Sequence, residues 1–171
     1  ERKFDDGLID VSPNRYAYTS ILSSISHAKT RDGHVLAEDL LRRMNNRSRE
    51  VNDDSLLPDV VAYTALLQAL AGSRSSDKIN QAKKWFAEME NRYAEGNSDL
   101  KPNKITYTAL INCWRTSGRP DSGEEAQNVL ELVEQKYQDG DYDIKPDAVM
   151  YSSVIDAWSR GRSTHKVARA W

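Results

Sequence analysis

The sequence predicts an all-α fold, a solenoid of stacked antiparallel helical hairpins, and three observations predict it. The residues at 101–111, Lys-Pro-Asn-Lys-Ile-Thr-Tyr-Thr-Ala-Leu-Ile, have near-copies at 12–22, 57–67 and 145–155. Pro13, Pro58, Pro102 and Pro146 are spaced by 45, 44 and 44 residues, and Tyr18, Tyr63, Tyr107 and Tyr151 keep the same steps. A fixed period in this range is the signature of a repeat array. Finally, Ala37, Ala82 and Ala126 each stand 19 residues after a repeat tyrosine, and Met44, Met89 and Val133 follow seven residues later. A small residue lets a neighbouring helix come close and a flexible apolar one fills the gap, which is the pattern of helix-on-helix packing.

Taken in order, residues 1–12 form a polar lead-in with Leu8, Ile9 and Val11. The units then run 13–57, 58–101, 102–145 and 146–171. Each opens on proline, which lacks an amide donor and disfavours helix in the residue before it. Asn14, Asp59, Asn103 or Asp147 follows, each a strong N-cap type. A first helix is expected from there, with apolar residues at helical spacing: Ile105, Tyr107, Leu110, Ile111 and Trp114 in the third unit, Val149, Tyr151, Val154, Ile155 and Trp158 in the fourth. Breakers rich in Gly, Ser and Asp close it, at 30–33, 72–77, 117–123 and 160–163. The second helix carries the alanine and methionine positions. It runs into the polar stretches 45–57, 90–101 and 134–145, expected to extend the helix and end in loops at 52–55, 95–99 and 139–141.

Composition sets the function classes. At 171 residues, with 39% hydrophobic and 29% charged content, the chain holds enough apolar material for a real core. Its net charge of −2 is not that of a strongly basic nucleic-acid binder. The polar stretches are acidic, with net charges of −1, −1 and −2, so the hairpins themselves are mildly basic. Cys113 is the one cysteine, which excludes an internal disulfide and fits a reduced intracellular setting. No apolar run is expected to reach the roughly 18 residues of a spanning helix, and the N-terminus has neither signal-peptide nor transit-peptide character. Both ends read as cut, the fourth unit stopping at Trp171, so the chain reads as a segment of a longer protein.

The motif of Pro, Asp or Asn, then Tyr-Thr/Ser-x-Leu-Ile with a later Ala and Met, resembles the pentatricopeptide repeat. The tetratricopeptide pattern of Trp, Leu-Gly and Tyr is not found at this spacing. The resemblance covers residues 13–171 in four copies. It implies a right-handed superhelix whose first helices line a concave groove, and binding of single-stranded RNA at one base per repeat. The base-reading pairs it implies are Thr19 with Asp59, Thr64 with Asn103, and Thr108 with Asp147; Ser152 is the fourth reader. In the family, Thr or Ser with Asp tends to select guanine and with Asn adenine, which gives 5′-G-A-G-purine-3′. The implied base-sandwiching residues are Tyr16, Val61, Ile105 and Val149. Nine residues past each tyrosine, where the family often has a phosphate-binding lysine, stand His27, Gly72, Thr116 and Arg160. Arg160, with Arg115, is left for phosphate contact, and weak binding is expected of this segment. The units are longer than the family's usual one, which changes the superhelical pitch.

No catalytic constellation is expected, nor a cofactor, a metal site or a small-molecule substrate. His27, His34 and His165 lack a second ligand at metal spacing. Gly118 and Gly123 lack the Lys-Ser/Thr of a phosphate loop. Asp53 and Asp54 are expected to be solvated, and the triplet Asn46-Arg47-Ser48 to be a chance match to a glycosylation site. Met44, Met89, Trp114 and Trp158 are assigned to the core, and Cys113 to the small-residue packing position of Ala69 and Ala157. The expected function is non-enzymatic, sequence-selective RNA binding in organellar transcript processing, stability or translation, with mitochondrion or plastid implied by the resemblance alone. The alternative is a protein-interaction scaffold built on the same hairpins, which the acidic loops favour.

Overall fold

The computed structural model describes residues 13–28, 30 and 32–161. Over them the chain forms α1 (Arg15–Ala28), α2 (Gly33–Val51), α3 (Val60–Gly72), α4 (Lys78–Ala94), α5 (Lys104–Arg115), α6 (Ser122–Gln138) and α7 (Ala148–Arg160). Three hairpins, α1/α2, α3/α4 and α5/α6, fall inside the first three units, and α7 opens the fourth. The lead-in 1–12 and residues 162–171, His165 among them, lie outside the described residues.

Each first helix starts where proline and its follower dictate. The side-chain oxygen of Asn14 accepts from the Ala17 amide at 2.9 Å and that of Asp59 from Ala62 at 3.0 Å. Asn103 accepts from Ile105 and Thr106, and Asp147 from Val149 and Met150, at 2.9–3.1 Å. These bonds satisfy amides that have no partner inside the helix. Second helices end as sharply, with Asn52 at φ 52°, Gly96 at φ 105° and Gly140 at φ 104° turning the chain back.

The first helices pack side by side in one unbroken row, α1 on α3 on α5 on α7, while the second helices pack on first helices and barely touch each other. The first helices therefore form one continuous layer and the second helices the other. Its seams carry the predicted residues: Ala37, Ala82, Ala126, Met44, Met89 and Val133 are all fully buried, as are Tyr63, Tyr107 and Trp114. Trp158 is half-buried and its indole donates to Gln127.

Two expectations need correction. The stretches 45–57, 90–101 and 134–145 are not simply polar linkers. Each contains a single 3-10 turn (Asp54–Leu56, Ser98–Leu100, Tyr142–Ile144) that plugs Leu56, Leu100 or Ile144 into the core against its own second helix. Pinning the loop this way removes the apolar side chain from water. The second correction concerns apolar length. Among the described residues Asp54–Gly72 is long and apolar enough to pass for a membrane span, with mean hydropathy 1.3. Pro58 and the Asp59 cap break it, and α3 spans only about 20 Å, short of the ~30 Å hydrocarbon layer. Its side chains from Ala62 to Leu67 are buried in the array.

Cys113 is fully buried, with its thiol on the Leu67 carbonyl at 3.3 Å, and burial pushes its pKa up to about 12. A thiol in that state is inert. Ellman's reagent at pH 8 is expected to leave the folded protein unmodified and to titrate one thiol on unfolding. Gly123 makes a different use of small size. A methyl there would lie 2.5–2.8 Å from the Trp158 ring and Cα, so α6 and α7 would have to separate. Gly123→Ala is expected to cost about 1–3 kcal/mol in urea unfolding, despite alanine's better helix propensity.

Candidate nucleic-acid interface

Residues seven apart lie nearly two full turns along one helix face. Tyr16, Val61, Ile105 and Val149 therefore share a face with Ser23, Gln68, Asn112 and Asp156, and this solvent-open face of the first-helix layer is termed the inner face. The first four are among the most exposed apolar side chains of the array, at 79%, 49%, 55% and 57%. They recur in register at the second helical position, so they form an apolar row that the core does not need.

Beside that row lie the caps. Capping uses one side-chain oxygen, which fixes what the other atom presents. Asn103 Oδ1 accepts from the Ile105 and Thr106 amides and from the Thr106 hydroxyl at 3.2 Å. Its Nδ2 is turned outward as a donor. Asp59 spends Oδ1 on Ala62 and keeps Oδ2 as an acceptor. Asp147 spends Oδ1 on Val149 and Met150, while Oδ2 meets the Lys104 ammonium at 3.1 Å. The Met150 amide first, and then Lys104, hold its carboxyl below the usual carboxylate range.

The hydroxyl readers sit deeper than their partners. Thr19 and Thr64 are buried, Thr108 is half-buried and Ser152 is exposed. Three donate into their own helix: Thr19 to the Arg15 and Tyr16 carbonyls, Thr108 to Lys104, Ser152 to Val149. Thr64 instead bonds the Thr106 hydroxyl at 2.8 Å, and Thr106 passes its proton to Asn103. With their protons engaged, these hydroxyls are left as acceptors. The same bonds identify Thr106, which the sequence left unassigned, as the link between the two readers of the second unit. Only its place three residues after the cap, the capping-box position, marks it in the sequence.

Arg115 and Arg160 are not free cations. Arg115 reaches Asp156 at 2.9 Å and Asn112 at 2.8 Å, and Arg160 meets the other oxygen of Asp156 at 2.9 Å. One carboxylate thereby neutralises half of their combined charge. These bonds, Arg160's first, hold the Asp156 pKa at about 2. Because the folded value is depressed, the contribution to stability is present above about pH 4, the ordinary carboxylate value, and is lost as pH falls through 2. The Asp156 Cγ resonance is expected to titrate near pH 2 and to move upward in Arg160→Gln.

Further along the same face, α1, α3 and α5 enclose a groove of about 670 Å³, lined by His27, Gln68, Lys78, Asn112, Arg115 and Thr116 among others and by no carboxylate. From helix start to helix end, the inner face thus presents outward cap atoms, an apolar row and an acid-free groove.

Compared with known families, residues 58–114 match the PPR repeat family. No curated protein matches the chain. The match covers α3, α4 and all but the last residue of α5, one whole unit and the start of the next. The hairpin on one side and the helix on the other repeat its cap and its tyrosine. Residues 58–114 thus match a family generally associated with RNA binding, and the same cap-and-tyrosine pattern continues on both sides of the match, consistent with a pentatricopeptide repeat protein.

Proposed function

We propose that the array binds single-stranded RNA sequence-selectively along its inner face, without catalysis, one base to each first helix. The observation that carries this reading is the row of Tyr16, Val61, Ile105 and Val149, exposed and in register beside outward cap atoms. Bases have apolar faces and polar edges, and both can be met here. The apolar row offers surfaces for base faces. Each cap offers one atom to a base edge.

The cap geometry supports the base order. Adenine has an unprotonated ring nitrogen on its pairing edge and suits a donor such as Asn103 Nδ2. Guanine has a ring N–H there and suits acceptors such as Asp59 Oδ2 and Asp147 Oδ2. The readers Thr19, Thr64, Thr108 and Ser152 add acceptors beside them. The resulting order is guanine, adenine, guanine and a purine for the four units. Lys104 competes with the base for Asp147, so the third position is the weaker of the two guanine sites. A role in transcript processing, stability or translation in mitochondria or plastids is supported by the family resemblance.

Fluorescence anisotropy with a single-stranded G-A-G-A RNA and a pyrimidine control tests the reading. Asn103→Asp keeps a good cap but replaces the outward donor by an acceptor. It is expected to move the second-position preference from adenine to guanine by about tenfold, or roughly 1.4 kcal/mol, at unchanged salt dependence. Binding that ignores the swap rejects the register. Failure to bind either RNA, with capture of a protein partner through the inner face, favours the scaffold reading.

A further inference from the structure

The acid-free groove contains a charge that base reading does not use. Lys78, the first residue of α4, is only 5% exposed. Its Nζ donates to the Ser73 carbonyl and to the Thr116 hydroxyl oxygen, both at 3.0 Å, and no carboxylate pairs with it among the described residues. Burial holds its pKa below the ordinary lysine value. A buried cation without a counter-charge is costly, so an anion reaching it gains more than at a solvated lysine. The other lining groups add donors. Asn112 Oδ1 accepts from Arg115 Nε, which turns its Nδ2 outward.

The position explains why the cation comes from a second helix. α3 ends at Gly72, which offers no side chain to the groove. Lys78 crosses from the next helix to the carbonyl just beyond Gly72, and Thr116 of α5 receives it on the other side. We propose that Lys78 and the Asn112 amide form a phosphodiester site for the RNA strand between the second and third units, a site built by a second helix in place of the arginines that Asp156 occupies. The identity of the anion rests on the RNA reading above; the presence of an anion site does not.

The test has two arms. In the first, inorganic phosphate is titrated against chloride at matched ionic strength. Phosphate is expected to raise the Tm of the protein and to shift the Lys78 side-chain NMR resonances, and Lys78→Met is expected to lose the Tm gain. The NMR readout is made on the unsubstituted protein, so it stands even if Lys78→Met folds poorly. In the second arm, RNA affinity is measured over a salt series. Lys78→Met is expected to reduce the slope of log K against log salt by about 0.7, one phosphate contact on a single strand, and to weaken all RNAs alike. Lys78 resonances that ignore phosphate overturn the site, as does an unchanged salt slope in Lys78→Met. Phosphate that moves Lys78 in a protein that binds no RNA upholds the anion site and rejects the RNA reading. RNA binding with an unchanged slope does the reverse.

Discussion

One hydrogen-bonding constraint underlies the array: the residue after each proline must give a side-chain oxygen to the first free amides of its helix. That cap sets where α1, α3, α5 and α7 begin, and with it which side chain falls at the second helical position and which at the ninth. The same bond orients the cap itself. An aspartate is left with an acceptor facing out and an asparagine with a donor. Structure and chemical display are therefore fixed together, and a change of cap type alters the display while leaving the helix start in place.

The inner row can be this regular because the stacking beneath it uses small residues at matched positions. Ala69, Cys113 and Ala157 occupy the same register in successive first helices and are all buried. The alanines of the second helices, Ala37, Ala82 and Ala126, are fully buried in the same core. The additional length of these units goes largely to the segments after the second helices, where the 3-10 turns anchor Leu56, Leu100 and Ile144 and acids such as Asp99 and Asp141 pair with Arg15 and Lys101. The groove itself is lined by no carboxylate.

Much of the fold was legible because its determinants are local and repeated: proline, cap, tyrosine and alanine each recur at one spacing, and periodicity needs no knowledge of distant contacts. The plugs could also have been found, since Leu56, Leu100 and Ile144 each stand two residues before a proline, but a single apolar residue in an acidic stretch is easily read as a loop residue. The site was legible as a set of positions and not as a set of bonds. Asp156 capturing Arg115 and Arg160, Thr106 joining Thr64 to Asn103, and Lys78 reaching Thr116 all depend on which neighbour a side chain meets. Arg115 and Asp156 are 41 residues apart, Lys78 and Thr116 are 38. No pattern inside one unit specifies such pairs.

The bonded chain from Thr64 through Thr106 to Asn103 has a consequence for how such arrays divide. The hairpin α3/α4 is the repeating structural unit, yet the groups that would recognise a base over it come half from α3 and half from the start of α5. Thr106 makes the two halves a single piece of rigid chemistry. The module of recognition is offset from the module of architecture by one whole hairpin edge. An exchange of units cut at Pro102 would carry Thr64 into a new context and leave its partner behind. A cut inside α4 would divide the pair as well, since Thr64 precedes that helix and Asn103 follows it; a segment running unbroken from α3 through the start of α5 carries the pair intact.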